Sequence, residues 1–174
     1  MTSLATPAGA LLFVAGGLVG AGCSASVVEP QTPAHAPETL TDSDVEAEIV
    51  ALHVFFEEWF RGELPQTEVA FARFGDALGD DFVIVSPTGH LSARDPILSA
   101  VYDAHGSWPE GNAIRIEAVD VRWRLGGTVL ATYEEWQTRD GATTGRLSTV
   151  LMSTSSPPRW LHVHETWLPD NAPK

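Results

Sequence analysis

The chain has 174 residues, with ten Lys or Arg against 23 Asp or Glu, a net charge of −13 and an apolar fraction of 44%. This length suits one globular domain with some chain left over. The acidity argues against proteins that bind nucleic acid or anionic membranes, because both need a basic surface. Lys174 is the only lysine and Cys23 the only cysteine. Schiff-base and P-loop chemistry, intrachain disulfides and cysteine-based zinc sites are therefore excluded.

The first 23 residues are typical of an export signal. No charged residue precedes Glu29, and residues 8–23 are continuously small or apolar. That stretch is too short and too rich in glycine for a good membrane span, but it fits the apolar region of a signal peptide.

The end of this segment is similar to a bacterial lipobox. Ala21 and Gly22 are small residues before Cys23, although Gly20 stands where Leu is usual. The motif predicts an exported lipoprotein anchored to a membrane through Cys23; a cytoplasmic protein with a disordered extension is the alternative. Residues 24–40 contain three prolines and predict a linker.

Residues 41–169 are predicted to form the domain, with a tail at 170–174. Ser43 and Glu46 have the spacing of a capping box, and apolar residues then recur with helical periodicity up to Gly62. This pattern predicts a long first helix.

Further along the chain, the pattern changes from helical to alternating. A second helix is predicted near residues 69–78, a short strand at 82–85, and a third helix from Asp95-Pro96 to about Ala104. Four longer strands are predicted after them, at residues 114–124, 128–138, 144–153 and 159–168. Helices before a meander predict an α+β fold with helices packed on one face of a curved antiparallel sheet.

Three segments in this order resemble the nuclear transport factor 2-like superfamily, in its SnoaL-like and ketosteroid isomerase-like branch. They are the long helix ending near Trp59, the segment DDFVIVSPTG at residues 80–89, and the strand WLHVHE at residues 160–165. The resemblance covers about residues 45–168. It implies a cone-shaped domain whose sheet encloses a cavity closed by helices. Such proteins serve as isomerases, dehydratases, cyclases, epoxide hydrolases, ligand binders or assembly modules, so the resemblance implies a pocket rather than a reaction.

One departure from the family pattern concerns catalysis. The steroid isomerases carry a catalytic Asp immediately before the proline of the turn, where this chain has Ser86. A serine hydroxyl is not a base near neutral pH. Asp80 and Asp81, upstream of the turn, are expected at the surface. Proton shuttling by the steroid isomerase mechanism is therefore not expected here.

Turns centred near Gly141 and Ser156 predict the register of the last three strands. These turns would place Glu135 opposite Leu147, and Leu147 opposite Glu165. A slip of one residue would exchange the faces. On this register, the predicted cavity wall consists of Tyr133, Glu135, Thr149, Val163, Glu165 and Trp167, with Phe56 and Trp59 from the first helix.

The opposite face would hold Arg146 among polar and aromatic residues. It would expose Trp136, Trp160, His162 and His164, and clustered exposed aromatics predict a homodimer through this face. His162 and His164 could chelate a metal, but no third ligand has a suitable spacing, so no metal or other cofactor is predicted.

Glu135 and Glu165 would lie roughly 10 Å apart, at twice the inter-strand spacing. They could bracket a ligand with a basic or hydroxylated group, or they could simply solvate the rim of the cavity. His53 and Glu57, four residues apart on the first helix, are expected to form a surface pair.

The predicted function is the binding of an apolar or amphipathic small molecule in the cavity. One alternative is a small hydrolase, dehydratase or isomerase that uses Glu135, Glu165 or Tyr133. The other is a homodimeric assembly module.

Overall fold

The computed structural model describes residues 40–169. Its elements, in chain order, are α1 (Asp42–Arg61), α2 (Glu68–Gly75), β1 (Leu78–Val85), β2 (Leu91–Ala93), α3 (Arg94–Asp103), β3 (Ala113–Leu125), β4 (Thr128–Arg139), β5 (Ala142–Ser153) and β6 (Trp160–Trp167). The predicted α+β fold is confirmed. The predicted signal, Cys23 and almost all of the predicted linker lie outside the described residues.

The strands form one sheet with the order β2-β1-β6-β5-β4-β3. Every neighbouring pair is antiparallel except β1 and β6, which run parallel. The sheet is therefore mostly antiparallel, as predicted; the parallel pair and the three-residue strand β2 were not predicted. No helix within residues 40–169 is both long and apolar enough to cross a membrane.

Helix α1 begins two residues earlier than a cap at Ser43 would place it. The hydroxyl of Thr41 accepts a hydrogen bond from the backbone N–H of Asp44, and the Asp44 carboxylate accepts one from the backbone N–H of Thr41 at 2.8 Å. This is the same reciprocal cap with a different pair of residues. The helix ends as predicted at Gly62, whose φ of 71° lies in the left-handed region that glycine tolerates.

The core lies between α1 and one face of the sheet. One side of α1 is fully buried, and its periodic apolar residues pack on inward residues of β4, β5 and β6. These side chains are Val45, Ile49, Leu52, Phe55 and Trp59 from the helix, with Val129, Ala131, Tyr133, Val150 and Val163 from the sheet.

The turn between β4 and β5 sets which residues face this core. Asp140 and Gly141 form a two-residue loop with φ values of 51° and 78°, as expected of a tight hairpin turn, so that Arg139 pairs with Ala142. Glu135 consequently lies opposite Arg146, and the prediction that it faces Leu147 is wrong by one residue.

The register between β5 and β6 is shifted by one residue as well, with Ser148 opposite Glu165 and Val150 opposite Val163. The two shifts add to two residues along β6, so Trp167 lies in the row of Glu135, and the prediction that Glu165 lies in that row is wrong. Because side chains alternate with a period of two, β4 and β6 still present the predicted faces to the core. Strand β5 alone is reversed. Its Arg146 faces inward and its Thr149 outward, because side chains alternate along a strand.

Strand β3 is one edge of the sheet and is strongly charged. Along it, Arg115 pairs with Glu117, Arg122 with Asp120 at 2.9 Å, and Arg124 with Asp42 of α1.

Candidate ligand-binding cavity

A cavity of about 310 Å³ lies between the helices and the inner face of the sheet. This volume is at the lower end of the range of small-molecule sites. Most of its wall is aromatic or aliphatic, from Leu52, Phe56, Phe60, Phe74, Leu78, Phe82, Ile84, Ile97, Val101, Trp160 and Val163. The remaining wall is polar and includes His53, Gln137, Arg139 and Arg146 together with the two glutamates. The cavity therefore has an apolar body and a charged portion.

Five of the eight predicted pocket residues line this cavity: Phe56, Tyr133, Glu135, Val163 and Glu165. The other three, Trp59, Thr149 and Trp167, do not.

Each of these three exceptions has a structural reason. Trp59 is fully buried in the core, where its indole N–H donates to the carbonyl of Val101 at 2.8 Å. Thr149 lies on the outer face because of the β5 register. Trp167 is the last residue of β6, two positions beyond Glu165 on the same face.

Trp160 was predicted on the outer face and is instead 3% exposed in the cavity wall. The pairing of β5 with β6 shifts between Leu151 and Met152, so that Trp160 lies opposite the buried Met152. A register shift of this kind turns the side chains beyond it toward the opposite face of the sheet.

Glu135 is the most completely paired group of the cavity and is only 2% exposed. Its carboxylate accepts hydrogen bonds from Nε and Nη2 of Arg146, from Nε2 of His53 at 3.3 Å and from Nε2 of Gln137 at 2.6 Å. Burial by itself raises the pKa of Glu135, but the charges of Arg146 and His53 and their hydrogen bonds outweigh burial and hold it well below its usual range. Glu135 is therefore an ionised structural centre.

His53 is buried at 5% exposure, so its predicted surface pair with Glu57 is wrong. Its Nδ1 lies 2.7 Å from the carbonyl oxygen of Ile49, and its Nε2 faces the Glu135 carboxylate. Both ring nitrogens therefore lie next to an acceptor oxygen. Glu57 instead pairs with Arg61 at 2.9 Å and accepts a hydrogen bond from the backbone N–H of Ile114.

Sequence reasoning assigned neither His53 nor Arg146 to the cavity. For His53, helical spacing indicates burial, because the residue lies four positions after the apolar Ile49 and directly after Leu52 on the buried side of α1. For Arg146 the signal was the Asp140-Gly141 dipeptide, which favours a two-residue turn.

Glu165 is less completely paired than Glu135. Within residues 40–169, its one ion-pair or hydrogen-bond partner is Arg146, whose Nε lies 3.1 Å from Oε1. Burial raises the pKa of Glu165; Arg146 and His53 oppose this effect and Glu135 adds to it, which leaves the pKa at about 7. Burial and the two carboxylates also raise the pKa of Tyr133 well above its usual value, so its hydroxyl stays protonated.

The exposed members of the cavity wall are His90 and Arg139, which indicates that the cavity opens near them. The Arg139 guanidinium lies over the Trp108 ring, 4.8 Å from its centroid. Ser86, directly before the proline of the turn after β1, also lines the cavity, and its Oγ accepts a hydrogen bond from the backbone N–H of His90 at 3.1 Å.

Among residues 40–169, no three His, Cys, Asp or Glu side chains are grouped so that they could hold a metal ion. His162 and His164 lie on the outer face of β6.

Comparison with known proteins identifies relatives over most of the described chain. The family model of the sucrose-6-phosphate phosphohydrolase C-terminal region matches residues 45–169. Sucrose-phosphatase 1 and sucrose-phosphatase 2 of Nicotiana tabacum are 24% and 26% identical over 128 residues. These alignments cover 70% of this chain but 30% of each phosphatase, so the chain spans less than a third of the curated relatives.

Solved structures with the same fold have diverse descriptions. An NTF-2 like protein of unknown function from Pseudomonas aeruginosa has a TM-score of 0.65 and 23% identity, over 71% of this chain and 98% of its own. The beta subunit of benzoate 1,2-dioxygenase from Burkholderia mallei has a TM-score of 0.57 and 13% identity, over 79% and 97%. The CamKII hub homology domain of Chlamydomonas reinhardtii has a TM-score of 0.52 and 13% identity, over 71% and 98%. At these identities the likeness establishes the fold alone.

Proposed function

The chain belongs to the sucrose-6-phosphate phosphohydrolase C-terminal family, within the nuclear transport factor 2-like superfamily, and we propose that its domain binds a small amphipathic molecule in the cavity between helices and sheet. The observation that carries this proposal is a cavity of about 310 Å³ with apolar walls and a buried charged cluster on one side. Apolar walls provide affinity, and a few fixed polar groups provide orientation.

The proposal does not extend sucrose phosphatase activity to this chain. The chain spans 30% of those enzymes, and a disaccharide presents hydroxyl groups on every side. Phe56, Phe74 and Phe82 could not satisfy those hydroxyls, which would lose hydrogen bonds to water on entering the cavity. A ligand with one polar end and an apolar body fits the wall better.

A pair of tryptophan substitutions tests this proposal. Ile84 lines the cavity from β1, so Ile84→Trp should fill the cavity. Thr149→Trp introduces the same side chain on the outer face of β5 and is the control. We expect Ile84→Trp to weaken the binding of phenylethanol at least tenfold in calorimetry, while Thr149→Trp binds it like the wild type.

Native mass spectrometry of the purified protein provides a second measurement. A co-purified small molecule should be present in the wild type and in Thr149→Trp, and absent from Ile84→Trp. Equal ligand retention in both variants, with native circular dichroism, would refute the cavity as the binding site.

A second candidate function is acid–base catalysis by Glu165, as in a small hydrolase, dehydratase or isomerase. It is favoured by a carboxyl group in the cavity wall with a pKa of about 7, because a general acid or base works best when its pKa is near the operating pH. Carbon-13 NMR of the Glu165 carboxyl should give a titration midpoint near pH 7. A midpoint below about pH 5 would remove this candidate.

Assembly through the outer face of the sheet is a separate proposal. That face presents the half-buried Trp136 and the exposed Leu147 and His164. Without Trp160, its aromatic content is smaller than the sequence indicated. A homodimer through this face remains the proposed state, and one structural neighbour is described as a hub homology domain.

A further inference from the structure

Arg139 differs from every other arginine of this acidic chain. The chain has ten Lys or Arg, and Lys174 is the one lysine, which leaves nine arginines, all within the described residues. Eight of them have a carboxylate within 4.0 Å. Arg139 has none among residues 40–169, and its close partner is the Trp108 ring. A guanidinium with no carboxylate within 4.0 Å among residues 40–169 therefore lies at the cavity opening, in a chain with 23 acids.

Arg146 also retains donors for a ligand. Its Nε and Nη2 are used by Glu135 and Glu165, whereas its Nη1 makes no hydrogen bond within the described part of the chain. Glu135, in contrast, accepts from three side chains and has little capacity left. The donors that remain for a ligand on this side of the cavity therefore include N–H groups of Arg139 on β4 and of Arg146 on β5.

We propose that the ligand of this cavity is an organic acid, whose carboxylate is bound by Arg139 and Arg146 and whose apolar body lies against the aromatic wall. This inference rests on the proposed function. Arginine suits the task because its planar N–H groups match a carboxylate and it remains charged. The apolar wall at Phe56, Phe82 and Trp160 would bury the remainder of the ligand.

Glu165 makes the binding of an acid dependent on pH. The charged or titratable groups around Glu165 are His53 from α1, Tyr133 and Glu135 from β4, and Arg146 from β5. Since Glu135 is neutralised by its partners, the ionised form of Glu165 is the main repulsion that an incoming carboxylate meets. Affinity for an acid should therefore fall as the pH rises through about 7, where Glu165 loses its proton. A neutral ligand should not show this fall.

Three probes with the same aromatic ring test the inference: phenylacetate, phenylethanol and phenethylamine. They differ in charge at the end of the side chain, so the comparison isolates the polar contact. By calorimetry at pH 6 we expect phenylacetate to bind at least tenfold more tightly than either of the others. Its affinity should decrease severalfold between pH 6 and pH 8.

Arg139→Gln should weaken phenylacetate binding about tenfold and leave phenylethanol unchanged. Arg122→Gln makes the same change of net charge on β3, away from the cavity wall, and should bind both probes like the wild type. If phenylethanol or phenethylamine binds as tightly as phenylacetate, or if Arg139→Gln and Arg122→Gln behave alike, the organic-acid inference is wrong while the cavity remains a binding site. If none of the three probes binds, the proposed function itself fails, and the inference with it.

Discussion

Replacing Arg146 with methionine should remove much of the stability of the domain. The change leaves Glu135, at 2% exposure, without its strongest partner and with hydrogen bonds from the side chains of His53 and Gln137. Breaking a buried ion pair by removing one partner costs about 3–5 kcal/mol. A domain of this size is stable by about 5–15 kcal/mol, so the variant should be marginal. Urea denaturation at pH 7 should give this loss directly, and the melting temperature should fall by roughly 10–20 °C.

The pH dependence of this loss of stability should identify the ionised carboxylate of Glu135 as its cause. The pKa of Glu135 is lower in the native state than in the unfolded state. The ion pair of Glu135 with Arg146 therefore stabilises the fold fully above the unfolded pKa of about 4.5. This stabilisation is lost as the pH falls toward the native pKa. Without Arg146, burial dominates and raises the pKa of Glu135, so protonation relieves the buried charge. The difference between wild type and variant should therefore shrink between pH 7 and about pH 4.

The control is Arg115→Met, which breaks the exposed pair with Glu117 on β3 and removes the guanidinium that lies 5.6 Å from the centroid of the Trp136 ring. Exposed pairs contribute up to about 1 kcal/mol, so this variant should unfold almost like the wild type. The reasoning would be refuted if Arg146→Met cost no more than Arg115→Met, or if its cost were the same at both pH values.

Three further predictions concern other parts of the chain. The native pKa of Glu165 is about 7 against a reference value of 4.5, so ionisation of Glu165 should lower the free energy of unfolding by about 3 kcal/mol as the pH rises from 5 to 8. In urea titrations, Glu165→Gln should abolish this fall in stability. The wild-type domain should sediment as a dimer at tens of micromolar, and Leu147→Glu on the outer face as a monomer; a monomeric wild type would contradict the assembly proposal. Bacterial expression should give an acylated protein in the membrane fraction, and Cys23→Ala should release it or block its maturation; a soluble cytoplasmic wild type with Met1 intact would contradict the lipoprotein prediction.

Most elements of the fold could be predicted from local patterns, because a helix or strand with one buried face imposes its own period on the apolar residues. The exceptions are β2 and the first four residues of β1. The predicted strands at 128–138 and 144–153 differ from β4 and β5 by at most two residues at either end. The inward orientation of Tyr133 and Glu135 likewise followed from alternation along one strand.

The charged cluster was less predictable, because it depends on how strands are paired. Placing the turn centre at Gly141 rather than between Asp140 and Gly141 moved Arg146 to the wrong face, and with it the principal partner of both glutamates. The position of Arg139 over Trp108 depends on a loop 30 residues earlier in the chain, and no local pattern indicates it.

The charged side chains of edge strand β3 limit how copies of this protein can associate. Strand β3 is the edge strand of the sheet, and a long edge strand can pair with a strand of another chain. Another strand adding to this edge would have to displace water from Arg115, Glu117, Asp120 and Arg122, which lie along it. Polymerisation through the edge is thereby disfavoured. The net charge of −13 adds repulsion between copies of this protein at low salt, so a stable association would need a specific contact that outweighs it.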